Sequence, residues 1–303
     1  MLHKSGRAAD ISDNAPSVLY ASTGMLRAPW RLLSFGVCFV LAQGILGAVL
    51  VPAFAALSRV VGEPVPAYPW VLLASVFAAM VVALRFVDDA TWASAGLDVA
   101  AWKPRIVGRG LLLGTSVIAA TALLLWSTGG LHVESSTVGF GDNTSSVRVW
   151  NGEMLRIVLL LAPAALWEEL FFRGYLWSVA DAAGGARIAL WSTSVAFGAV
   201  HLSNPGASVR TTALVILAGL CLGTIRERLH SLPAAWSAHA AWNIVMAAVL
   251  HVPVSGLAFA TPGYRSVLTV PEWWSGGSWG PEGGIAAAVV LGGTLLFFTQ
   301  LRS

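Results

Sequence analysis

The chain has 303 residues, 56% of them hydrophobic and only 11% charged, with a net charge of +3; an average soluble domain is roughly 25% charged. A mean hydropathy of +0.73 leaves too little polar surface to clothe a water-soluble core, so most of the length is solvated by lipid or by other helices. The basic residues are scattered between apolar runs and form no patch, which argues against a nucleic-acid partner and makes them topology signals.

In chain order, residues 1–30 read as a polar cytoplasmic tail containing Pro16, Gly24 and several Ser, and 31–303 as one membrane domain. The first apolar run is longer than the roughly 7–15 apolar residues of a signal-peptide core, so it is expected to be retained. Against the roughly 20 residues needed to cross hydrocarbon, the sequence predicts about eight transmembrane helices in one all-α, polytopic bundle. They are Leu32–Leu57, Pro69–Val87, Val107–Trp126, Met154–Trp177, Arg187–His201, Ser208–Ile225, Leu232–Val252 and Gly284–Leu301. Trp30, Trp70, Trp126, Trp150 and Trp177 fall near proposed ends, as an interfacial aromatic belt would have them. Cys38 and Cys221 lie within apolar runs and read as small buried hydrophobes.

Between the spans, Asp88–Arg105 reads equally as an amphipathic interfacial segment or a connecting loop. Leu131–Glu153 and Pro253–Gly283 read as long outer loops, the second, with Trp273, Trp274 and Trp279, folding back on the membrane surface. One side collects Lys4, Arg7, Arg27, Arg31, Arg85, Lys103, Arg105, Arg109, Arg187, Arg226, Arg228 and Arg302; the other only Arg59, Arg148, Arg156, Arg210 and Arg265. The positive-inside rule then places both termini in the cytoplasm, in what reads as a prokaryotic plasma membrane.

Ionisable groups at membrane depth are costly and tend to be paired and functional. The predicted spans place Glu168, Glu169, Arg173, His201, His239 and Asn243 there, drawn from three helices. Helical spacing puts Glu169 and Arg173 on one face as an ion pair and turns Glu168 about 100° away without that partner; His239 and Asn243 share a face by the same rule. Each piece has a structural explanation taken singly, since a membrane His or Asn commonly bonds a neighbouring helix. If the faces converge, Glu168 stands between the imidazoles of His201 and His239, a water-activating arrangement. The topology strains that convergence: Glu168 falls near or below the midplane and His201 toward the outer end of the fifth span, so tilted or longer helices are required.

The stretch Glu168-Glu169-Leu170-Phe171-Phe172-Arg173 resembles the E-E-x-x-x-R motif of the CAAX prenyl protease and bacteriocin-processing (CPBP, Abi-like) family of intramembrane proteases. Phe197-Gly198-Ala199-Val200-His201 resembles its F-x-x-x-H motif, and His239-Ala240-Ala241-Trp242-Asn243 its third motif, a His with Asn four residues on. The order agrees, and the similar core spans about 155–252. The resemblance implies an intramembrane endopeptidase in which Glu168 activates water and Glu169 and Arg173 hold its helix and charge state. His201 would position water or substrate, and His239 and Asn243 would donate to the oxyanion.

The family is commonly catalogued with metallopeptidases, yet the chain has no H-E-x-x-H helix. The reading favours no tightly bound metal, with zinc or another divalent ion on Glu168, His201 and His239 as the alternative. The partners expected are membrane lipid and a peptide or lipid-modified protein; the family's eukaryotic branch removes the three residues after a prenylated Cys. Two other classes would bury similar groups: a non-catalytic binding, scaffold or bacteriocin-immunity protein, and a transporter, against which the lack of an inverted repeat counts.

Overall fold

The computed structural model describes residues 18–21, 25–135, 143–259 and 263–300. Most of the polar tail predicted for 1–30 lies outside these residues, as do the last residues of the eighth predicted span. Helix α1 (Ala28–Val61) opens with a Pro in its first turn and stops at Gly62, whose φ of 79° is the left-handed C-cap conformation that glycine adopts without strain. It is followed by α2 (Tyr68–Val82), which widens into a π-turn at Ala83–Val87, and by α3 (Pro104–Ser127). Next come α4 (Asn143–Glu169), a π-segment at Leu170–Leu176 and α5 (Trp177–Gly184), which run on as one helix. The remainder is α6 (Ala186–Val200), α7 (Val209–Leu229), α8 (Leu232–Ile244) with a π-turn at Val245–Val249, the short α9 (Glu272–Ser275) and α10 (Ile285–Gln300).

Every predicted span therefore coincides with a helix. Four helical stretches, Ala28–Val61, Tyr68–Val87, Pro104–Ser127 and Val209–Leu229, are long and apolar enough to cross a membrane, with Ile285–Phe298 a shorter apolar helix. The fourth helix differs most from expectation. It begins at Asn143 and not at Met154, because hydropathy reports where lipid contact begins and not where helix begins; Glu153 and Arg156 pair on this polar extension at 2.5 Å. The outer loop expected at Leu131–Glu153 is correspondingly shorter. It contains strand β1 (Leu131–Ser135), which pairs antiparallel with strand β2 (Tyr264–Leu268) from the second outer loop, Leu131 facing Leu268 and Ser135 facing Tyr264. Such a pairing across well over a hundred residues has no local signature.

Helix α8 sits at the centre, packed against α3, α4 and α7. Nearly all of its residues are buried, which is why it is apolar all round. Its close partner is α3, where Gly110 and Gly114 face the backbone of Ala234 and Ala238; a Cβ at either glycine would overlap those carbonyls. Small residues four apart that admit a neighbouring backbone are the usual device for packing helices in lipid. The segment between α2 and α3 forms two short 3₁₀ turns, Trp92–Ala95 and Val99–Trp102. It is fastened to the helices beneath: Gly96 O accepts from Leu232 N (3.0 Å), Ala101 O from Ser231 Oγ (2.8 Å) and Ser94 O from Ser178 Oγ (2.7 Å). At the same end, Arg31 at the start of α1 makes a bidentate pair with Asp88 after α2, both bonds 2.7 Å.

Candidate active site

Glu168 and Glu169 are the last two residues of α4, and Arg173 lies in the π-segment that follows. One-turn π-bulges arise where the α-helical ladder is interrupted and are frequent at functional sites. Glu169 and Arg173 are wholly buried and paired, Arg173 Nη1 donating to Glu169 Oε1 at 3.1 Å, as their four-residue spacing predicts. Arg173 Nη2 also donates to Gly219 O on α7 (3.3 Å). A Cβ at Gly219 would stand 3.1 Å from that guanidinium nitrogen and 3.2 Å from the Ser194 backbone, so the glycine is what lets α6, α7 and Arg173 meet.

His239, from the middle of α8, reaches the same carboxylate. Its Nδ1 lies 2.9 Å from Glu169 Oε1, and its Nε2 lies 3.8 Å from Glu168 Oε2. Because a carboxylate only accepts, Nδ1 carries the proton in this contact and Nε2 is turned toward Glu168. Sequence reasoning set a carboxylate between two imidazoles; the structure sets one imidazole, His239, between two carboxylates. The two glutamates are unlike in exposure, the Glu168 side chain retaining 19% and that of Glu169 none. Glu169 Oε2 and Arg173 Nε are buried with no hydrogen-bond partner among the described residues.

His201 sits just past α6 in a 3₁₀ turn, with Nδ1 2.7 Å from Phe197 O. Among the described residues no hydrogen bond or ion pair joins it to Glu168 to complete the expected trio. What links it to the rest is Phe197, the first residue of its motif. The Arg173 guanidinium lies over that ring at 4.1 Å, the edge of His239 meets it at 5.9 Å, and His201 packs on it at 4.6 Å. The aromatic residue thus joins all three motifs through one cation–π and two ring contacts.

His201, His239 and Asn243 line one cavity of about 70 Å³, together with Phe197, Ser255 and Glu282. Glu168 does not line it and is reached through His239. The Asn243 amide makes no hydrogen bond within the described residues, which leaves its donors to the cavity. Ser255 and Glu282 carry no sequence signal: they come from the segment between α8 and α10, where no periodicity or motif marks a residue as facing a helix far away in sequence. The expected zinc set Glu168, His201 and His239 is not gathered into one cluster, because His201 bonds Phe197 O and shares no hydrogen bond or ion pair with the other two among the described residues. No group of three His, Cys, Asp or Glu among the described residues has metal-holding geometry.

Residues 150–245 match the family model of the type II CAAX prenyl endopeptidase, Rce1-like. That span holds Glu168, Glu169, Arg173, His201, His239 and Asn243, and the likeness supports a CAAX-type protease working in a membrane. No curated protein and no solved structure matches the chain.

Proposed function

We propose that the chain is an intramembrane endopeptidase that hydrolyses a peptide bond near the membrane surface with a water activated by Glu168. The observation that carries this reading is the division of labour between the two adjacent carboxylates. Glu169 is committed to Arg173 and to His239 Nδ1, whereas Glu168 keeps partial exposure and no cation of its own. A carboxylate held next to an imidazole and free of a salt bridge is suited to take a proton from water.

Water gives one of its own protons to Glu168 as its oxygen attacks the substrate carbonyl carbon. The carbonyl π-electrons move to oxygen, and the Asn243 amide donates to the oxyanion, where one such donor contributes about 2.7–4 kcal/mol; His239, anchored through Nδ1 on Glu169, faces Glu168 with its other nitrogen. Collapse breaks the C–N bond, and the proton taken by Glu168 passes to the departing amine. His201, on the same cavity wall, positions water or substrate.

The proposed substrate is a peptide or lipid-modified protein whose apolar part enters from the bilayer. The test is cleavage of a quenched fluorogenic, lipid-modified peptide by the purified protein, alongside Glu168→Ala and His239→Ala, each with and without a chelator. Loss of activity in both variants with unchanged folding is expected, and the chelator arm reports on metal dependence. Activity that survives Glu168→Ala would remove the proposed base and return a non-catalytic binding role to first place.

A further inference from the structure

The cavity that touches His201, His239 and Asn243 ends, on its loop side, at a third carboxylate. Glu282 stands in the short turn Pro281–Gly283 before α10 and lines this cavity. Its Oε2 accepts from Trp242 Nε1 at 2.9 Å, and its Oε1 accepts from both the backbone N and the Oγ of Ser255 at 2.6 Å each. Trp242 is the residue before Asn243, so Glu282 is tied directly to the third motif.

This placement is built and not incidental. Ser255 has a φ of 48°, a left-handed conformation that is strained for a non-glycine residue and persists only where surroundings enforce it. Its carbonyl accepts from Asn204 Nδ2 at 3.1 Å, three residues past His201, and Gly256 N donates to Trp279 O at 2.9 Å. The loop is therefore locked to the end of α6 on one side and to Trp242 on the other.

All the bonds to Glu282 come from neutral donors. They orient an anion without neutralising it. No ion pair among the described residues reaches Glu282, and no Lys or Arg lines the cavity. Apart from His201, His239, Asn243, Ser255 and Thr294 the walls are apolar, so the charge acts in a space where a like charge is repelled and a cation attracted more strongly than in water.

We propose that Glu282 makes the cavity selective against acidic groups, so that the segment it holds is neutral or cationic and the bond cleaved is internal, away from a free C-terminal carboxylate. The inference rests on the peptidase reading and names its substrate class. It departs from what the CAAX resemblance implies, since trimming three residues from a chain end brings a free carboxylate within reach of the site. Asn243 and Glu282 line the same cavity, so a peptide carbonyl held at Asn243 brings its flanking residues toward Glu282.

The test uses the full-length protein in nanodiscs and matched apolar fluorescent peptides. One set carries Lys, Gln or Glu in turn at each position around the scissile bond; the other ends in a carboxylate or in an amide. Binding is read by competition and cleavage by product formation. The Lys and amide forms are expected to bind at least about tenfold tighter than the Glu and acid forms at one register, the size of effect that one unscreened like charge produces. Glu282→Gln should bring that gap to within about twofold. Thr294→Lys, which adds a cation to the same cavity and leaves Glu282 and its bonds in place, should reverse the preference and covers the case in which the first variant does not fold. Equal affinities, a preference for acid, no peptide binding, or a gap that survives Glu282→Gln would each overturn the proposal. Preference without cleavage by the wild type would uphold charge selection and count against the peptidase; cleavage without preference would do the reverse.

Discussion

Glu168 and Glu169 are adjacent and chemically identical, yet their surroundings predict opposite failures. Glu169→Gln removes the charge that partners the wholly buried Arg173 and leaves only a neutral amide oxygen to accept from His239 Nδ1. Breaking a buried pair from one side costs about 3–5 kcal/mol because it strands the other charge, so a large fall in thermal stability in detergent is expected together with lost activity. Glu168→Gln strands no arginine and should leave the unfolding temperature nearly unchanged. Asn243→Ala should lower kcat by about 10²–10³ if its amide serves the oxyanion, with KM less affected; an unchanged kcat would remove it from that role. All six candidate residues were legible from membrane depth and helical spacing. Their mutual arrangement was legible only in part. The Glu169–Arg173 pair follows from four-residue spacing within one helix, but the position of His239 between the glutamates depends on how α8 docks on α4, which no local pattern encodes. Glu282 was invisible for the same reason, being a loop carboxylate whose partners Trp242 and Ser255 are 40 and 27 residues away.

At the scale of elements, α8 carries two of the motif residues and its position depends on α3. Gly110 and Gly114 let the α8 backbone approach where any side chain would collide with Ala234 and Ala238. Gly114→Ala is therefore expected to destabilise the protein by about 1–3 kcal/mol, the usual cost of overpacking, and to shift His239 away from Glu169 with a parallel loss of activity. Unaltered thermal unfolding and activity would show that α3 yields without consequence. Hydropathy located the helices because apolar runs of membrane length are a strong signal. It misplaced the start of α4 because residues 143–153 are helical but polar. It also missed β1 and β2, which pair only when the two outer loops meet.

For the whole molecule, the Lys and Arg distribution proposes a cytoplasmic side holding the N-terminus and the turns between α2 and α3, and an outer side holding β1 and β2. Helix α3 has 24 residues, so its ends are about 36 Å apart, enough to separate the two faces of a bilayer. With Cys38 and Cys221 replaced, a cysteine at Asp98 should react with an impermeant reagent only in inside-out vesicles, and one at Arg265 only in intact cells; the opposite pattern would invert the topology. The Arg31–Asp88 pair, which closes the α1–α2 hairpin on the proposed cytoplasmic face, is expected to make Asp88→Asn costly by about 3–5 kcal/mol. The measurement that bears most directly on function is kcat for an internal-bond, lipid-modified peptide with wild type and Glu168→Gln in the same nanodiscs, with thermal unfolding recorded on the same samples. A fall of about 10²–10⁴, the range supplied by a general base, at an unchanged unfolding temperature is the expected result. Cleavage by Glu168→Gln at the wild-type rate would contradict the assignment of Glu168 as the base.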